Sequence, residues 1–284
     1  MLRRPLRSFR RHLLDRMVLR PSQHPIHAPN LKRMRLPCEP DTIECFVQQS
    51  HDESKQPELL VLKFPGTAGR AERSTAFPTA MLDSIPNAVW TWNPPGYGGS
   101  SGHASLSTMA RAASAFWTTV TEKYAGPETS IWLCGNSLGC VSVLHIAATH
   151  TPNPKRTGLI LRNPPPLRQV IKRAAKSYPH FGLINPVIAD LCDSMDTMKT
   201  AGKVSLPAVV LQSEFDTLVP VHFQDEMLEK YSGPVRKVLM EGLDHDGLTT
   251  EHHETQIGES LRWLWQQTNP NKINSRPSDS IRKV

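Results

Sequence analysis

Long apolar runs are what this sequence most plainly lacks. No stretch approaches the roughly 18 to 20 residues that a membrane-spanning helix needs, and the start has no long apolar centre of the kind a secretory signal carries. Cysteine is scarce, with five residues, an odd number, and no CxxC pair. That usage suggests neither a disulfide framework nor a zinc site, and it fits a reducing, cytoplasmic compartment. No GxxxxGK[ST] occurs, and the Gly-rich stretch 96–102 has Ser101 where a GxGxxG would need glycine, which argues against a phosphate loop. No metal and no organic cofactor is implied by any cluster of residues. The net charge of +7 is also misleading as a whole-chain figure. Residues 1–36 carry ten Lys/Arg against Asp15 alone, a surplus of +9 that leaves −2 for everything after them. The basic character belongs to an arm, and the body gives no sign of a nucleic-acid surface.

What is present is a globular body. A chain of 284 residues that is 38% hydrophobic can bury one large core. In the arm, Leu2, Leu6, Phe9, Leu13 and Met17 recur at helical spacing with arginines between them, which predicts an amphipathic helix with a cationic face. Two readings of residues 1–20 stand side by side: a helix docked on the body, and one in peripheral contact with an anionic membrane; an Arg-rich, acid-poor start also fits a transit peptide. Pro21, Pro25 and Pro29 then break the pattern, so residues about 21–37 read as an extended connector.

From about residue 41 short β-rich runs alternate with helical stretches. Strands are expected at 42–49, 59–64, 88–92, 131–135, 157–162, 208–212 and 235–240. A weak helix is expected at 71–83, and firmer ones at 105–123, 138–149, 167–177 and 251–267, with another between the last two strands. Most strands are continuous apolar runs, as expected where helices cover both faces of a sheet. The fold class is therefore α/β, a doubly wound, mostly parallel sheet. The domain reading is an arm and connector over 1–37, a body over 38–268 with a short lid at about 164–206, and a polar tail over 269–284.

The chemistry centres on "GNSLG", residues 135–139. A nucleophilic serine must hold its oxygen clear of the backbone on a sharp strand-to-helix turn, and small neighbours at Gly135 and Gly139 are what such a turn requires. The pattern alone arises by chance in roughly one chain in ten of this length. Here it follows an expected strand and opens an expected helix, which is the informative context. An orienting acid and a base should follow on later strand-exit loops: Asp216 in "QSEFDTLVP" and His245 in "MEGLDHDG" sit just after two later strands. Asp216 could alternatively cap a helix beginning near Val219, leaving Asp225, Asp193 or Asp196 as the acid. The rival histidines are His222, His252 and His253, the last two reading as solvated or partner-facing positions on the final helix. Cys134 and Cys140 flank the turn and read as small buried residues.

With these residues in view, the chain resembles the α/β-hydrolase superfamily over about residues 41–267. "FPGTAG" (64–69) stands in the place of that family's oxyanion loop, "NPPGYGGSSG" (93–102) resembles its Tyr-Gly loop, and "FDTLVP" matches its acid loop. The resemblance implies a serine hydrolase acting on an ester, thioester or amide of a small-molecule acyl substrate. Ser137 would be its nucleophile, His245 its general base and acid, and Asp216 the group that orients His245. The backbone N–H groups of Leu138 and Thr67 would form the oxyanion hole. Three positions depart from the pattern: Pro65, where the family often has His, and Asn93 and Pro95, where it has Asp and Arg. A non-catalytic scaffold and an acyltransferase are the alternatives. The segment 164–206 is where the family inserts its lid; Arg168, Lys172 and Lys176 recur there at helical turns as a basic stripe or a solvated face.

Overall fold

The computed structural model describes residues 3–50, 55–82, 85–176 and 184–269. One eight-stranded sheet organises them, in the order β1-β2-β4-β3-β5-β6-β7-β8. The strands are β1 (Lys32–Cys38), β2 (Asp41–Gln49), β3 (Leu59–Phe64), β4 (Asn87–Asn93), β5 (Ser130–Asn136), β6 (Thr157–Arg162), β7 (Ala208–Ser213) and β8 (Val235–Met240). β3 to β8 run parallel, and β2 is antiparallel to both its neighbours. The central strand β3 shows why its run is apolar throughout. Leu60, Leu62 and Phe64 join one core, with α2 (Leu106–Tyr124) and α3 (Leu138–His150), while Leu59 and Val61 join the other, with α8 (Glu251–Thr268). Successive side chains of a strand point to opposite faces, and here each face has a helix to bury it.

Two expectations are corrected. The stretch 32–38 is a strand, so the connector is shorter and the sheet begins earlier than boundaries of 37 and 38 allow. Met34, Leu36 and Cys38 alternate with Arg33 and Arg35, and Pro37 is tolerated because β1 is an edge strand. The weak helix over 71–83 is instead two single 3₁₀ turns, Ala71–Arg73 and Thr79–Met81, since Pro78 cannot continue a helix begun before it. The polar-tail expectation falls on 270–284, outside the described residues, as do residues 177–183 of the lid expectation.

The arm forms α1 (Arg3–Val18), and its C-terminal half is built into the body. Leu14, Val18 and Leu19 are core residues, each worth about 1.5 to 3 kcal/mol when fully buried. Asp15 turns inward, its Oδ1 accepting from the Leu106 N–H at 2.8 Å, one of the orphan donors that open α2. Arg7 and Arg10 approach the largely buried Asp190 carboxylate at 3.4 and 3.7 Å. The docked reading holds for this half, whereas Leu6, Phe9 and Leu13 stay exposed.

Candidate active site

The turn between β5 and α3 carries Ser137 at φ 49°, ψ −118°, a conformation costly for a residue with a side chain. Its two glycines are sterically required. A Cβ on Gly135 would stand 2.6 Å from the Cys140 nitrogen, and one on Gly139 would stand 1.8 Å from the Phe64 carbonyl oxygen. The strain lifts Ser137 Oγ to 3.0 Å from His245 Nε2. On the other side of the ring, His245 Nδ1 lies 2.6 Å from Asp216 Oδ2. A carboxylate accepts, so Nδ1–H donates to Asp216 and Nε2 is left to accept the serine hydroxyl. Three residues 29 and 108 positions apart in sequence are thus brought into one hydrogen-bonded chain.

Asp216 caps no helix, and its two oxygens have separate partners. Oδ1 accepts from the N–H groups of Leu218 at 2.9 Å and Val219 at 2.7 Å, folding the loop, and leaves Oδ2 for the histidine. The following helix, α7 (Val221–Leu228), begins without a side-chain cap. The rival acids have other partners: Asp225 with Gln212 and Lys237, Asp193 with Lys199, and Asp196 with Arg168. Of the rival histidines, His222 and His252 are exposed. His253 corrects the solvated reading: it is buried, accepts the Thr250 N–H on Nδ1 at 3.1 Å and donates Nε2–H to the Glu241 carbonyl, closing the N-terminus of α8. Burial pushes the thiol of Cys134 up to about 11 and that of Cys140 well above its usual value, so both stay protonated and inert.

The loop bearing Thr67 packs directly on the elbow, where a Cβ on Gly66 would meet the Asn136 carbonyl at 3.2 Å. Among the described residues the N–H groups of Leu138 and Thr67 have no intramolecular acceptor, and both residues border the cavity at Ser137. Tyr97 holds this loop: its buried hydroxyl donates to the Thr67 carbonyl at 2.9 Å and accepts the Arg20 N–H at 3.1 Å. Burial raises the phenol to about 12, which keeps it a donor.

Beneath it lies a buried network that sequence reasoning missed. Asn93 donates Nδ2–H to Glu44 at 2.7 Å and to Glu72 at 2.9 Å, and its Oδ1 accepts from the Ala71 N–H at 2.8 Å. Arg33 pairs with Glu44 and Arg70 with Glu72. Burial alone would raise the Glu72 carboxyl, but hydrogen bonds from Arg70 and Asn93 outweigh it and hold it below its usual value. The glycine-rich loop follows from the same network. Gly99 N–H donates to Glu44 at 2.5 Å, and a Cβ at Gly98 or Gly99 would fall on Glu44 or Asn93. These glycines make room for a buried carboxylate.

The histidine loop has its own brace. Asn163, at φ 50°, donates Nδ2–H to the His245 carbonyl at 3.2 Å and to Ser213 Oγ at 3.1 Å. Arg162 donates to the Gly247 carbonyl at 2.5 Å. The only local signal is a polar pair, Arg162 and Asn163, where β6 ends. Replacing Asn163 with Ala should lower kcat of any reaction run by His245 by up to about 10²-fold while leaving KM nearly unchanged, because the loop carrying His245 is released and the cavity at Ser137 is not. Steady-state kinetics on an activated ester check this; an unchanged kcat would remove Asn163 from the site.

A cavity of about 290 Å³ opens at Ser137. Its walls come from α1 (Met17, Val18), from α4 (Leu167–Ala175) through Leu167, Val170 and Ile171, and from the Asp216 loop through Leu218 and Val219. Of the basic residues expected on α4, Arg168 turns inward to Asp196 Oδ2 at 2.6 Å and to the Ile188 carbonyl at 2.8 Å, leaving Lys172 and Lys176 exposed. Arg168 therefore ties α4 to the segment 188–196 and does not form a charged stripe over the site.

No protein-family model matches this chain. Solved structures do match in fold. Est1E from Butyrivibrio proteoclasticus with bound ferulic acid superposes with TM-score 0.63 at 19% identity, over 82% of this chain and 98% of that one. A Pyrococcus furiosus esterase gives 0.64 at 15% identity, over 87% and 97%. Mouse alpha/beta hydrolase domain-containing protein 10 gives 0.58 at 14%, over 84% and 98%. Likeness at this identity defines architecture, and the architecture is the α/β-hydrolase fold.

Proposed function

We propose that this chain, an α/β-hydrolase fold, is a serine hydrolase that cleaves carboxylic esters or thioesters of small or medium acyl groups through an acyl-enzyme on Ser137. The observation that carries the reading is the hydrogen-bonded chain from Ser137 Oγ through His245 to Asp216, 3.0 and 2.6 Å long, with the serine on a strained turn. As Ser137 Oγ attacks the acyl carbon, its proton passes to His245 Nε2, and the imidazolium that forms faces Asp216 Oδ2. The developing oxyanion is met by the N–H groups of Leu138 and Thr67, donors typically worth about 2.7 to 4 kcal/mol each. His245 then gives the proton to the leaving alcohol or thiol. Water, deprotonated by the same nitrogen, attacks the acyl-enzyme and releases the acid.

The cavity supports the choice of acyl group. Its 290 Å³ stands at the lower end of ligand sites, and apolar side chains line most of it. The solved structure of like fold from Pyrococcus furiosus is named as an esterase, which supports ester cleavage. A fluorophosphonate probe should label the purified protein, and activity on p-nitrophenyl esters should peak at short to medium chains. A folded protein that resists the probe and cleaves none of the esters would turn the assignment to a non-catalytic scaffold.

A further inference from the structure

The helix α1 presents two stripes, and the body takes only one. Leu14 and Val18 enter the core, whereas Leu6, Phe9 and Leu13 share a stripe about 100° round the helix and remain 51%, 65% and 39% exposed. Exposed apolar residues need no comment singly, but their distribution here does. Among the described residues, six of the eight exposed large apolar side chains lie on α1 or on the loops bearing Asp216 and His245: Leu6, Phe9, Leu13, Phe215, Leu218 and Leu248. Leu218 and the C-terminal end of α1 also line the same cavity. Arg16 flanks the exposed stripe on one side and Arg10, which also approaches Asp190, on the other, and the one acid of α1, Asp15, is turned inward to α2.

We propose that α1 seats the protein on an anionic lipid surface, with Leu6, Phe9 and Leu13 at the acyl boundary and the arginines among the headgroups. That α1 thereby opens the Ser137 cavity onto amphiphilic esters at the bilayer rests on the serine-hydrolase reading; the docking itself does not. An apolar stripe flanked by cations, on a helix whose remaining positions are mostly charged or polar, is the pattern of a helix lying in the interface. No helix among the described residues is long and apolar enough to cross a membrane. Charge selects the occupant. Two copies related by a twofold axis through α1 would bring together two helices that each carry six arginines against Asp15 alone, whereas anionic headgroups complement them.

Deleting the arm is a poor test, because Leu14, Val18 and Leu19 belong to the core. The full chain should instead be sedimented with vesicles of phosphatidylcholine, with and without phosphatidylserine. The wild type should partition onto the anionic vesicles, and less so as salt rises. A variant with Leu6→Ser, Phe9→Ser and Leu13→Ser should bind them about tenfold more weakly or worse, with its melting temperature unchanged. Ser137→Ala should bind as the wild type does, so docking is read independently of catalysis. Equal partition of wild type onto neutral and anionic vesicles, or equal binding by wild type and triple variant, overturns the proposal. So does a wild-type dimer that becomes monomeric in the triple variant without lipid.

Discussion

Ser137→Ala and His245→Ala should each lower kcat on an activated ester by about 10⁴- to 10⁶-fold, and the double variant should be scarcely worse than either single one. The reason is geometric. Ser137 Oγ has one proton acceptor, His245 Nε2 at 3.0 Å, and His245 has no role in that relay without the serine. Residues that act as one unit lose their effect together, and what remains is the share due to the oxyanion donors and the cavity. Asp216 needs a subtler substitution. Asp216→Ala would also strip the acceptor from Leu218 and Val219, mixing loop collapse with chemistry. Asp216→Asn keeps that acceptor but turns an amide N–H toward His245 Nδ1, favouring the wrong tautomer, and should cost about 10⁴-fold with melting little changed. Comparable losses for the singles, followed by a multiplicative further loss in the double variant, would mean that the two side chains act independently and would sink the relay.

The second large effect is on stability. Asn93→Asp, which restores the residue expected by family resemblance, should destabilise the fold by about 3 to 5 kcal/mol at neutral pH. The Asn93 amide donates to Glu44 and Glu72 at 2.7 and 2.9 Å, so a third carboxylate would face two others with only Arg33 and Arg70 to balance them. One of the three would have to hold a proton. The sign follows from that proton. The added carboxyl has a folded pKa raised above its unfolded value of about 3.9, so the deficit is fully developed above the raised value. It shrinks as pH falls toward the unfolded one. Chemical denaturation of both proteins across that range checks it, and a variant as stable as the wild type at neutral pH would refute this account of Asn93.

Glu72 supplies a milder dependence in the wild type. Its folded pKa is depressed, so the stability it contributes is present above the ordinary glutamate value and lost as pH falls through the lower folded one.

Much of the site could be read from the chain because its constraints are local. A serine forced to positive φ needs small neighbours two places away on either side, and those glycines lie within five consecutive letters. Asp216 and His245 stand just after strands whose apolar runs mark them. The braces could not be read this way. Asn93 meets Glu44 across 49 positions, and Asn163 meets Ser213 across 50. Either asparagine in isolation reads as an ordinary loop residue. His253 misleads for a related reason: its helical position is local, but its burial depends on where the β8 exit loop passes.

By itself, then, the sequence determined most of the strand and helix alternation, the Gly-Ser-Gly turn, the placing of Asp216 and His245 after later strands, and the amphipathic character of α1, all features carried by near neighbours or by period. Tertiary structure decided which stripe of α1 the body buries, which oxygen of Asp216 meets the histidine, and why glycines crowd 96–102. Each of those depends on what another segment places opposite, and a one-dimensional pattern has no record of opposition.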